Sequence, residues 1–265
     1  MKKLFFAGLL FVVIGCIGML VTGHSLFKEP VVNQSDTLLT DYKNIQVNVQ
    51  SGEVHFKKSS DNATHIKIKN VKDKNFFQYN IKNNTLNIVN NKTIKNRRIF
   101  NYGFEQHNEP SLEIAIPDKT YNNVKLITNK SAIEFDELKA KFLKSNAKIG
   151  AIYIDKLTSE KVDFTAGTGE IEVGQSDIKN INFDIKLGTI TLDELNTDIN
   201  INGNVSSGQA ELLFKETPKN MKFDITTSTG DIEMNDIAGS KSTLGNGQYL
   251  VKINVGLGQV EVDEA

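Results

Sequence analysis

The sequence predicts an all-β protein, a stacked parallel β-solenoid of about 19–22 residues per rung preceded by one N-terminal transmembrane helix. Three observations carry this. A turn-and-strand motif recurs after residue 120, apolar residues alternate with period 2 inside each copy, and an uncharged apolar run stands near the N-terminus. Alternation of that period belongs to strands, and a fixed spacing belongs to stacked repeats.

The apolar run, Leu4 to Val21, would make a helix about 27 Å long, close to a bilayer core of about 30 Å. Lys2 and Lys3 flank it, and the positive-inside rule puts that flank in the cytoplasm. Residues 1–22 are therefore expected to anchor the chain in a bacterial cell membrane as a single span, with the C-terminal domain extracytoplasmic. Two other readings compete. Val13-Ile14-Gly15-Cys16 is similar to a lipobox, in which Cys16 would be acylated after cleavage, although apolar Ile17 to Val21 stands where a polar tether is usual. A cleavable signal would have a shorter apolar core and a small-residue cut site; no Ala-x-Ala follows. Residues 23–40 are polar, contain Pro30 and read as a tether.

The domain is expected over residues 41–265, less regular over 41–120 and regularly repeated over 121–265. The motif is a turn residue, one variable residue, then apolar–variable–apolar. It begins at Ser131, Gly150, Gly169, Gly188, Gly208, Gly230 and Gly258, with a further copy at Gly52. The spacings are 19, 19, 19, 20, 22 and 28 residues. Ile133, Ile152, Ile171, Ile190, Ala210, Ile232 and Val260 are expected to form one inward column. Phe135, Ile154, Val173, Leu192, Leu212, Met234 and Val262 form a second. Another strand precedes each turn, as in Val162-Asp163-Phe164 and Phe183-Asp184-Ile185. One such repeat cannot bury its apolar face alone, but a stack can. A β-sandwich is the alternative, since short strands and regular turns occur there too. Asp136 to Lys144 is the one stretch outside the anchor that reads as a turn or two of helix.

Gly52-Glu53-Val54-His55-Phe56, the pair Ile81 to Lys82 and Leu86 to Ile88, the Ile114-Ala115-Ile116-Pro117 strand and the later rungs occur in an order that resembles the bacterial putative-adhesin family, a domain of unknown function with a β-solenoid fold. The likeness covers roughly residues 41–265. It implies a non-catalytic envelope domain, often anchored by one N-terminal segment and in some members associated with envelope stress. It brings no catalytic motif.

Composition narrows the function. The formal charge is −1 and only four prolines are present, so bulk charge selects no nucleic acid and the chain is not Pro-rich. Cys16 is the single cysteine, which excludes a disulfide framework and a thiolate zinc site. The four histidines, 24, 55, 65 and 107, are scattered, and no P-loop, H-E-x-x-H or G-x-S-x-G motif occurs. No catalytic residue, metal or cofactor is expected. A polysaccharide-active enzyme is the alternative, resting on Asp163, Asp184 and Asp224 at similar places in three repeats; a self-assembling structural solenoid is another.

Charge is uneven along the chain. Residues 23–150 hold 20 Lys/Arg against 13 Asp/Glu, and residues 151–265 hold 9 against 19. Rungs stacked in chain order would place a basic end near the membrane. Lys92, Lys95, Arg97 and Arg98, followed by Phe100, Tyr102 and Phe104, form a candidate contact for anionic polymer or membrane. The outward column Glu134, Tyr153, Glu172, Thr191, Glu211, Glu233 and Glu261 reads as a solvated face. Glu261, Asp263 and Glu264 are expected to blunt the last exposed edge. The expected partners are the membrane, through the N-terminal helix, and an envelope polymer or envelope protein.

Overall fold

The computed structural model describes residues 32–92, 109–234, 237 and 240–264. The expected anchor, Cys16, and Lys95 to Phe104 lie outside the described residues. Among the described residues there are strands and no helix, so none there is long and apolar enough to cross a membrane. The strands are β1 (Val32–Leu38), β2 (Asn44–Lys58), β3 (Thr64–Val71), β4 (Gln78–Lys82), β5 (Thr85–Asn90) and β6 (Ser111–Ile116). They continue as β7 (Tyr121–Phe135), β8 (Leu138–Ala147), β9 (Ala151–Leu195), β10 (Asn200–Phe214), β11 (Met221–Met234) and β12 (Tyr249–Glu264).

The rungs are parallel and in register. Each has a first arm and a second arm on either side of the turn residue. Gly52 stands opposite Ser131, Gly208 opposite Gly188 and Gly258, and Gly230 opposite Gly258. The inward columns are those the alternation predicts. On the second arm Val54, Ile133, Ile152, Ile171, Ile190, Ala210 and Val260 are buried, and the Phe56 and Phe135 rings stack at 4.2 Å with planes 1° apart. Both arms close on one apolar core.

Backbone approach at the turn column explains its glycines. A Cβ on Gly169, Gly188, Gly208 or Gly258 would meet the carbonyl oxygen of the turn residue one rung away, well inside contact distance. Gly208 adds a second reason, φ of +139°, which L side chains rarely adopt. A different glycine, Gly203, leaves the space that the buried Phe183 ring fills.

The N-terminal end departs from the repeat. The Gly52 rung stacks directly on the Ser131 rung although 79 residues of chain separate them, so residues 59–120 are an excursion between neighbouring rungs. Below β2 two strands replace one rung: β5 extends the first arm and β6 the second. β4 folds back on β5 through Asn83 and Asn84, both at positive φ, as a two-residue hairpin of primed type requires. β3 pairs antiparallel with β6, and β1 antiparallel with β3. Residues 32–38, read from sequence as tether, are thus a mostly exposed edge strand. Their polar composition hid a pairing that β3 supplies. Asp136 to Lys144, read as helical, lies largely in β8, because the flanking rungs offer parallel partners on both sides and bury Leu138, Ala140 and Leu143.

The last rungs do not stack in chain order. The sheet runs β9-β10-β12-β11, so the C-terminal strand enters between two earlier ones. After β11 the chain returns along that strand's outer edge, with Phe223 N–H donating to Ser242 O and Ile225 N–H to Ser240 O, each at 2.9 Å. It then enters the stack at Tyr249. Glu261, Asp263 and Glu264 therefore lie on an interior strand, and the edge belongs to β11, where Asp231 and Glu233 are exposed.

Replacing Gly208 with Ala is expected to destabilise the domain by about 3 kcal/mol, from backbone collision and lost positive φ together. Urea unfolding beside the surface change Thr189→Ala checks it; equal midpoints would contradict the carbonyl-contact account.

Candidate functional site

Outward side chains of the first arm stand in columns about 4.8 Å apart from rung to rung. Asp163, Asn182, Asn202, Lys252 and Asp224 share one column, and Asp184, Asn204, Asn254 and Thr226 share the next. Lateral bonds tie them. Asn182 Nδ2 donates to Asp163 at 2.8 Å, Asn204 Nδ2 to Asp184 at 3.0 Å, and Thr226 Oγ1 bonds Asn254. The result is a preorganised amide-rich face whose donors and acceptors repeat at strand spacing.

The same registers break up the aspartate trio suggested by the repeat. Asp163 and Asp224 lie four strands apart, about 19 Å, far beyond the carboxyl separation of glycoside hydrolysis. Asp184 belongs to the neighbouring column. Period 2 preserved its face while the true register shifted by two residues: Val162 lies level with Ile181, not Phe183.

On the second arm the outward column runs His55, Glu134, Tyr153, Glu172, Thr191, Glu211, Glu261, Glu233. Insertion of β12 puts Glu261 between Glu211 and Glu233, where chain order would have put Glu233 in the middle. Partial burial first, then the charges of Glu211, Glu233 and Asp263, raise the Glu261 carboxyl above its ordinary value. Lower down, burial and the bond to Glu170 at 2.8 Å push the Tyr153 hydroxyl up to about 12.

Basic residues collect at the other end. Glu113 accepts from both Lys57 and Lys69, and those two ammonium groups hold its carboxyl down at about 2. Asp118, between Lys139 and Lys58, is likewise held at about 2. His55 bonds Asp136 at 2.5 Å, whereas His65 bonds Asp61 and Thr37, so the two imidazoles serve different partners. Among the described residues no group of three His, Cys, Asp or Glu could hold a metal. Of the basic–aromatic candidates only Lys92 is described; its ammonium pairs with Asp73 and its N–H donates to Asn90 at 2.7 Å. That leaves Lys92 engaged within the domain. The rung columns were legible from alternation, but the amide face was missed, because its members come from four chain segments whose register only the stack defines.

Strand order and registers define a β-solenoid-like domain with outward polar ladders. The family model of Toastrack DUF4097 matches residues 42–255, and the chain belongs to that family. No curated protein matches it. Similar solved structures include a putative adhesin from Bacteroides fragilis, 13% identical, covering 89% of this chain and 98% of its own, with a TM-score of 0.46. A putative cell adhesion protein from Clostridium sporogenes is 12% identical over 88% of this chain and 100% of its own, with a TM-score of 0.35. A protein from Parabacteroides distasonis described as a putative lipid binding protein is 11% identical over 88% and 96%, with a TM-score of 0.44.

Two titrations follow. The Glu113 carboxyl is lowered on folding, so the stability it contributes is present above its unfolded value near 4.5 and is lost as pH falls toward 2. Glu113→Gln is expected to flatten the acid limb of the stability curve between those values, read from Tm against pH; an unchanged limb would remove the two-lysine account. Glu261 is raised instead, so its ionisation opposes folding at neutral pH. Glu261→Gln is expected to stabilise by about 0.5 kcal/mol at pH 7, with the gain shrinking in high salt, checked by urea titration at two ionic strengths.

Proposed function

We propose that the protein is a non-catalytic binding or scaffolding domain of the bacterial cell envelope, held at the outer face of the membrane by residues 1–22 and acting in adhesion or the envelope-stress response. The amide-rich face formed by Asn182, Asn202, Asn204 and Asn254 carries this reading. Its donors and acceptors repeat at fixed spacing on a rigid parallel sheet, which suits a repeating polymer better than a small diffusible substrate. The apolar length of Leu4 to Val21 supports the anchor.

The charge gradient supports the orientation. With the N-terminal end toward the bilayer, Lys-rich strands face anionic headgroups and the acidic end points away, an arrangement attractive within a Debye length of about 8 Å. The basic–aromatic residues Lys92, Lys95, Arg97, Arg98, Phe100, Tyr102 and Phe104 are proposed to add contact with anionic polymer or membrane.

Purified full chain in mild detergent, incubated with envelope fractions at low and high salt, tests the reading. One variant carries Asn202→Arg with Asn204→Arg; another has Lys92, Lys95, Arg97 and Arg98 changed to Gln. Polymer capture lost in the first variant supports the amide face. Salt-sensitive capture lost only in the second assigns binding to the basic segment, and no capture by any form overturns the proposal.

A further inference from the structure

The out-of-order strand alters one side of the stack. Below it, successive rungs continue past the second arm into a short third piece, where Leu138 pairs with Leu157 and Phe214 with Leu195. The rung that contains β12 is entered differently, because its chain comes in at Tyr249 from the return segment, while β12 itself reaches Glu264, level with Phe214. A cleft of about 880 Å³ lies at this point of entry. It is walled by three levels of chain, residues 177–180, 196–200 and 215–216, and by Tyr249.

The lining has a particular chemistry. Tyr249 is half-buried against the core, which holds its ring, and its hydroxyl accepts from Gln248 Nε2 at 3.2 Å. Asn180 and, on the next level, Asn196 and Asn200 present side-chain amides. Asn196 Nδ2 donates to Asp177 at 2.9 Å, and Asn200 Oδ1 accepts from Leu250 N–H at 3.0 Å, so these amides too are fixed by neighbours. Asp198, also on the lining, is exposed. The carboxylates of Asp177, Asp198 and Glu216 are nearly balanced by Lys179 and Lys215, so the cleft carries no excess charge that would favour a polyanion.

An aromatic wall beside fixed amides and carboxylates is a set that recognises pyranose rings. The ring covers the apolar C–H face of a sugar, and planar amides bond its paired hydroxyls. Levels one strand spacing apart match the length of one pyranose unit. We propose that the Tyr249 cleft binds an uncharged or N-acetylated saccharide segment, one to three residues long, of an envelope polymer. This rests on the binding reading above and gives it a site and a ligand class. The ring supplies stacking, Asn180, Asn196 and Asn200 read hydroxyl or acetamide groups, and Asp198 accepts from the outermost hydroxyl.

Saturation-transfer NMR of the full chain with the tetramer of β-1,4-linked N-acetylglucosamine, the β-1,4-linked glucose tetramer and a hyaluronan tetramer tests this. The expected result is transfer to ring protons of one or both uncharged oligomers and little to hyaluronan. Tyr249→Ala should weaken binding by roughly tenfold or more, with Tyr249→Phe close to wild type. Tyr249→Ala could also disturb the start of β12, so Asp198→Ala, an exposed change, is measured beside it and should weaken binding with an unchanged thermal melt. Transfer equal in wild type and both alanine variants, transfer to hyaluronan alone, or no transfer to any oligomer would overturn the site. Envelope capture that persists in both alanine variants would overturn the cleft while leaving the broader binding reading in place; loss of all capture in wild type would remove both.

Discussion

The close contact between turn residues of neighbouring rungs is the constraint on which the rest depends. At Gly169, Gly188, Gly208 and Gly258 the carbonyl oxygen of the adjacent rung takes the space a Cβ would need. Bringing backbones that near keeps both arms in register across the turn. A side chain there would push rungs apart and break the hydrogen-bond ladder on both arms at once. In register, Ile stacks on Ile and Phe56 on Phe135, so each inward column is continuous. The glycines thus act through what they leave empty.

Register has an electrostatic consequence as well. A stack that aligns like residues for packing also aligns like charges, and parallel ladders have no antiparallel offset to relieve them. The outward face of the second arm shows both solutions. Glu170 is bonded by Tyr153, and Thr191 separates Glu172 from Glu211. Where no spacer intervenes, at Glu211, Glu261 and Glu233, burial and then repulsion raise the central carboxyl. At the opposite end Lys57, Glu113 and Lys69 alternate in sign, and the carboxyl is lowered. The first arm avoids the conflict with amides, which donate to the carboxylates beside them, Asn182 to Asp163 and Asn204 to Asp184.

Placing β12 between β10 and β11 changes the end of the stack. It buries a strand that would otherwise be terminal and lets residues 240–244 cover part of the edge of β11. The same insertion brings Tyr249 into the stack from the return segment, where it lines the cleft with residues of three lower chain segments.

Much of this domain is written locally. Alternation of Ile, Val and Phe with polar residues determines strands and inward faces, and the 19-residue spacing determines that rungs stack, because the backbone permits only two faces and each apolar face needs a partner. The expected columns were therefore right in membership. They were wrong in order at Ile232 and Val260, since a motif records that a strand belongs in the stack but not which neighbour it will have. The assignment of Asp163, Asp184 and Asp224 to equivalent places failed for a related reason: a shift of two residues keeps a side chain on the same face and is invisible to a period of 2. Residues 32–38 and 136–144 carry weak local signals, and only hydrogen-bonding partners supplied by β3, β7 and β9 make them strands. Composition and alternation are local and the repeat is counted along the chain without knowing any pairing, so the sequence alone determined the fold class and its core. The amide face, the place of Glu261 between Glu211 and Glu233, and the Tyr249 cleft join residues from separate strands, and only tertiary pairing decided them.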